Sequence, residues 1–196
     1  MVVSISSWSQ TSTMTMLSPK LRVFLTDHGR ASQIFTNLIS KAFTGRSVKI
    51  YYFYSDDYSI ATCYHYYPDE SNVVICVREN QKPVDEFISL VFEVINSESE
   101  TNFQNLREKV IDGSITRTNF AIEVLKVEFR AIMETSGLLG EIGFTKTEIA
   151  DSRYYKSYAN SPTNFVDFIY YTEKMSMPER DPIKEYEQQY DLMRKH

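Results

Sequence analysis

Apolar and polar positions along the chain divide it into helical and strand-like stretches. From Arg30 to Phe43 the residues Ile34, Phe35, Leu38, Ile39, Ala42 and Phe43 recur at helical spacing, and Gly45 follows as a stop. The short run Leu21–Leu25 before it fits a strand or the lead-in to a helix. Three strand candidates come next: Val48–Tyr54, Ser59–Tyr67 and Val73–Val77. Ser55-Asp56-Asp57 and the stretch Pro68 to Asn72 separate them as turns, so two successive hairpins and an antiparallel meander are expected. After Pro83 the period changes. Val84–Asn96 is apolar almost all the way round, which is the pattern of a helix inside the protein.

A shorter amphipathic helix is expected over Asn102–Ile111, closed by Asp112-Gly113. Ser114 or Thr116 then caps a long helix reaching about Thr135, with Gly137, Gly140 and Gly143 marking its exit. Tyr154, Tyr155, Tyr158, Phe165, Phe168, Tyr170 and Tyr171 suggest a segment laid across the core. Pro178 and Pro182 precede a polar C-terminal helix, Ile183–Arg194. The expected fold class is α+β: an N-terminal helix, an antiparallel three- to four-stranded sheet, a buried central helix, a long second helix and an irregular tyrosine-rich C-terminal segment. Residues 1–18 read as a flexible Ser/Thr-rich leader, 19–178 as a single domain and 179–196 as the polar C-terminal helix.

Composition narrows the function classes. The chain has 196 residues, a formal charge of −5, and 14 Tyr and 12 Phe beside a single Trp. Tyrosine at this density suits half-buried strands and binding surfaces. No basic cluster is dense enough to track phosphates, so nucleic acid is not an expected partner. No stretch approaches the ~20 apolar residues of a membrane span. The leader carries no charged side chain before Lys20 and no basic region followed by an apolar one. The expected location is therefore cytoplasmic, or reached through a specialised secretion system without a cleaved signal. Cys63 and Cys76 stand in apolar, strand-like runs without zinc spacing and read as two buried, reduced thiols.

The order of helix, three strands, buried helix and long helix resembles the minimal core of the zincin metallopeptidases over roughly Ala31–Thr135. In that family the helix after the sheet carries H-E-x-x-H and a later helix supplies a third ligand, often Glu. The matching stretch here is Phe92-Glu93-Val94-Ile95-Asn96, that is F-E-x-x-N, and the later helix offers Glu123 and Glu128. Phe92 has no lone pair, and the Asn96 amide oxygen is a poor zinc ligand beside imidazole. The resemblance therefore implies a zincin fold that has lost its metal, a pseudoenzyme with no cofactor.

Glu93 either points to a wet edge, pairs with Arg107, Lys126 or Arg130, or is an acid retained at a remodelled pocket. His65 reads as a sheet-face residue and His28 as part of a turn. A Cys63–His65 nucleophile pair fails, because strand positions two apart stand ~7 Å from each other. The expected function is a non-catalytic protein-interaction domain, a bacterial effector or an immunity or accessory protein, with a protein partner. Two alternatives stand beside it: a self-associating structural protein, and a metal-independent enzyme using Glu93, Glu123 or Glu128 with a tyrosine.

Overall fold

A computed structural model of the chain describes residues 17–44, 47–54, 62–67, 72–144, 149, 164–169 and 181–195. Among these, helix predominates. The elements are α1 (Pro19–Asp27), α2 (Gly29–Ala42), β1 (Ser47–Phe53), β2 (Thr62–Tyr67), β3 (Asn72–Arg78), α3 (Pro83–Glu98), α4 (Glu100–Asp112), α5 (Arg117–Ile142) and α6 (Pro182–Met193). Leu21–Leu25 lies in a helix, because Ser18 caps it: the Ser18 Oγ accepts the Leu21 amide at 3.2 Å, and Pro19 presets the first turn. Thr116 caps α5 by accepting the Asn119 amide at 3.3 Å. Asp181 does the same for α6 through the Lys184 amide at 3.2 Å.

The sheet corrects the expected antiparallel architecture. Its strand order is β1-β3-β2; β1 runs parallel to β3, and only β2 is antiparallel. A meander would have paired β1 with β2. Instead β3, the most continuously apolar of the three sequences, takes the centre and pushes β1 and β2 to the edges. A central strand has a neighbour along each edge, so the most apolar of the three sequences gains most from that place. The turns expected at Ser55-Asp56-Asp57 and Pro68–Ser71 lie outside the described residues, as do most of the tyrosine-rich segment and residues 1–16 of the leader. Leu17 and Ser18, counted in the leader, are buried.

The long helix also exceeds its expected end. It continues past Thr135 through Gly137 and Gly140 and stops only at Gly143, where φ is 87°. Leu139 and Ile142 explain the extension: both are buried in the main core, so tertiary packing outweighs the weak helix propensity of glycine.

Two apolar clusters result. The larger joins α1, α2, the sheet, α3 and the C-terminal half of α5. Val48 and Ile50 of β1 and Val73, Ile75 and Val77 of β3 supply its sheet face. The smaller cluster centres on Leu106, Val110, Phe120 and Val124, with Tyr186 and Tyr190 of α6 packed against it. Phe129 extends α5 sideways onto Phe168, with ring centroids 5.3 Å apart. No helix among the described residues is long and apolar enough to cross a membrane.

Candidate functional site

Helix α3 is apolar over most of its surface, yet Glu86, Ser89, Glu93 and Asn96 recur along it at three- and four-residue steps and are all buried. Residues at that spacing share one helical face. A polar stripe thus runs through the interior, and each turn of it meets a different part of the chain.

At the N-terminal turn, Glu86 is fully buried. Its Oε1 accepts the Ser18 hydroxyl at 2.7 Å and the Tyr52 phenol at 2.9 Å, and the Tyr52 oxygen itself accepts the Ser18 amide at 2.8 Å. Lys20 Nζ stands 3.5 Å from Glu86 Oε2, an ion pair longer than a hydrogen bond. Lys20 also donates to the main-chain carbonyls of Glu79 and, at 2.6 Å, Gln81. Burial raises the Glu86 carboxyl above its ordinary value, against the lowering effects of Ser18, Tyr52 and Lys20. Burial also raises the Tyr52 phenol, helped by the adjoining Glu86 charge, so Tyr52 remains a donor. One turn on, Ser89 donates to the Gln81 side chain at 3.3 Å.

The next two turns carry the F-E-x-x-N stretch. Glu93 is buried, only 6% exposed, so it does not lie at a wet edge. Arg107 pairs with Glu100 at 3.2 Å and Lys126 with Glu123 at 2.6 Å, which places two of the three proposed counter-ions on other carboxylates. Phe92 is half-buried and packs on the main core. Asn96 is buried, and its Oδ1 is a buried acceptor without a hydrogen-bond partner.

Glu128 of α5 comes to the same region through α6, whose Tyr186 phenol donates a hydrogen bond to Glu128 Oε1. Burial raises the Tyr186 phenol well above its ordinary value, and the charges of Glu128 and Glu93 add to the effect. The structure therefore places Glu128 on Tyr186, whose phenol also feels the charge of Glu93. Glu123, the third expected acid, stays apart in its surface pair with Lys126.

The remaining candidates are scattered. His28 lies between α1 and α2, its Nδ1 2.9 Å from the Phe24 carbonyl and its ring stacked on Phe24 at 4.3 Å. His65 occupies a β2 position opposite Val74. Cys63 and Cys76 are directly opposed in the β2–β3 register, and Cys76 is half-buried rather than fully so.

Sequence reading missed Glu86, Ser18, Tyr52 and Tyr186. A signal for Glu86 was present: it precedes Glu93 by two helical turns in the same apolar helix. Tyr186 gave none, since its partner is distant in the chain.

Zinc does not fit this arrangement. The two positions that flank Glu93 at ligand spacing hold a phenyl ring and an amide, and among the described residues no group of three His, Cys, Asp or Glu side chains is arranged to hold a metal ion. Comparison of the chain with models of protein families, with curated proteins and with solved structures finds no match in any of the three.

Proposed function

We propose that the chain is a non-catalytic, zincin-like domain that binds another protein. One observation carries this reading: Glu93 lies buried between Phe92 and Asn96, while Glu128 accepts a phenol from the chain's own C-terminal helix. A hydrolytic centre would turn such carboxylates toward metal or water. Here a donor from α6 engages one of them. The sheet offers a route to a partner, because β1 and β2 are its outer strands and both are rich in tyrosine. Outer strands recruit extended segments through main-chain hydrogen bonds, and aromatic side chains add specificity.

Metal analysis of the purified chain is expected to find no stoichiometric zinc; one tightly held zinc per chain overturns the non-catalytic reading. The double variant Phe92→His, Asn96→His restores two imidazoles on one helical face beside Glu93, and titration calorimetry is expected to show that it gains zinc binding. A folded double variant that gains none removes the zincin likeness. Light scattering separates this reading from self-association. A monomer is expected, and a stable homodimer would instead assign the outer strands to a second copy of the chain.

A further inference from the structure

We infer that Cys63 and Cys76 are a redox-responsive pair, which closes into a disulfide between β2 and β3 on meeting a low-molecular-weight disulfide such as oxidised glutathione. The inference rests on the pairing of the two strands and stands apart from the partner-binding reading.

The register comes first. Thr62–Tyr67 runs antiparallel to Asn72–Val77, and Cys63 is the direct partner of Cys76. Directly opposed residues of an antiparallel pair have Cα atoms ~4.5 or ~5.5 Å apart, according to whether they exchange main-chain hydrogen bonds. Disulfides span Cα separations of about 4.4–6.8 Å, so both kinds of position lie within reach of a bridge. Opposed residues also share one face of the sheet. These are the only two cysteines of the chain, so no other pairing within it competes.

Access is the second observation. Val73, Ile75 and Val77 of β3 are buried in the main core, whereas Val74 and Cys76, which alternate with them, are half-buried. Cys76 therefore stands on the side of the sheet away from that core, within reach of a small reagent. The pair also lies one position from the end of the β2–β3 pairing, at Thr62 and Val77. Local opening costs least at the ends of paired elements.

The chemistry balances as two thiol–disulfide exchanges. The Cys76 thiolate attacks one sulfur of the small disulfide, forming a mixed disulfide and expelling one small thiolate, which takes up the proton that Cys76 gave up. The Cys63 thiolate then attacks the Cys76 sulfur, and a second small thiol leaves in the same way. The cysteines lose two hydrogens and two electrons, which the small disulfide gains on becoming two thiols. Excess small thiol runs both steps backwards. Closure ties the outer strand β2 to the central strand β3 and constrains the unfolded chain, so it favours the fold.

Intact-mass spectrometry tests the pair on the full chain, equilibrated in native buffer at set ratios of reduced to oxidised glutathione and then alkylated. With oxidised glutathione in excess, the expected product carries neither alkylating agent nor glutathione and weighs two hydrogens less than the reduced chain. Excess reduced glutathione is expected to return two alkylated thiols. The same equilibration in concentrated urea separates register from chance encounter. At one glutathione ratio, the closed-to-open ratio is expected to be at least about tenfold higher in the folded chain, the factor by which closure favours folding. These measurements use the wild-type chain, so no variant has to fold. Cys63→Ala, left with Cys76 alone, is expected to stop at the mixed disulfide. Two alkylated thiols in excess oxidised glutathione overturn the inference, as does a wild-type chain that stops at a glutathione adduct or crosslinks only to another copy. A closed-to-open ratio no greater in the folded chain than in urea overturns it too.

Discussion

Glu86 places the strongest single demand on its surroundings. It is a carboxyl group with no solvent exposure, held by a hydroxyl and a lysine from the start of α1 and a phenol from β1. Desolvation dominates and raises its folded pKa above the ordinary 4.5. The sign follows directly. A raised pKa means that the fold favours the protonated group, so this contribution to stability is complete below pH 4.5 and is lost as the pH climbs through the raised value. Thermal melts of the wild type are expected to show that decline. In Glu86→Gln, which stays neutral throughout, the slope from this group is expected to vanish. If the two pH profiles run parallel, Glu86 is not the titrating group. Ser18→Ala and Tyr52→Phe each remove one donor from the buried carboxyl. Each is expected to cost about 1–3 kcal/mol in chemical denaturation, the range for a buried acceptor left short of a partner.

At the scale of elements, glycines of α5 and its neighbourhood divide into two kinds. Gly137 and Gly140 sit in the helix interior, exposed, with no atom within 4 Å of where a Cβ would stand. Changing either to alanine is expected to stabilise the protein by about 0.5–1 kcal/mol, because only helix propensity changes. Gly113 closes α4 at φ 79°, a conformation that L side chains resist, so Gly113→Ala is expected to destabilise by about 1 kcal/mol although a Cβ would meet only Arg194 Nη1, at an ordinary 3.7 Å. Denaturation midpoints of the three variants check both signs. Helix α6 is docked differently. No residue of it is fully buried, and Arg117 grips it by a two-pronged contact with Asp191 and a 2.6 Å bond to Glu187. Thr118 adds a 2.7 Å bond to the same Glu187, and Arg194 donates to the carbonyls of Val110 and Ile111. Exposed ion pairs weaken in salt. Hydrogen exchange in residues 182–193 is therefore expected to speed up in Arg117→Ala and, in the wild type, at high salt. Unchanged protection under both conditions would mean that Tyr186 and Tyr190 hold the helix without help.

Over the whole molecule, the two apolar clusters share α5 and little else. Phe120, 3% exposed, belongs to the smaller one, and its ring lies tilted against Tyr190 at 6.0 Å. Phe120→Ala is expected to cost about 3–5 kcal/mol. Hydrogen exchange should place the loss in α4 and α6 while β3 and α3 keep their protection. Uniform loss over both clusters would instead mark one cooperative unit. The polar stripe of α3 spans the same division. Its Glu86 end fastens the start of α1 to the sheet, and the charge of Glu93 at its other end is felt by Tyr186 of the smaller cluster.

The amino-acid sequence alone determined where most of the helices lie and several of their caps. Thr116 at one cap, Gly113 at another and the apolar periods of α2 and α3 act through hydrogen bonds and contacts within a few residues, so they are readable in order along the chain. It also determined that Phe92 and Asn96 leave Glu93 without imidazole neighbours, because ligand chemistry belongs to the residue and not to its surroundings. Tertiary structure alone decided that β3 lies between β1 and β2, since strand pairing is a choice among distant segments competing for a covered place. It decided that α5 runs through two glycines, because Leu139 and Ile142 found a core to enter. And it decided which acid meets a tyrosine: Glu128 reaches Tyr186 only when the chain has folded back on itself, and burial, which sets the cost of each charge, is a property of that packing.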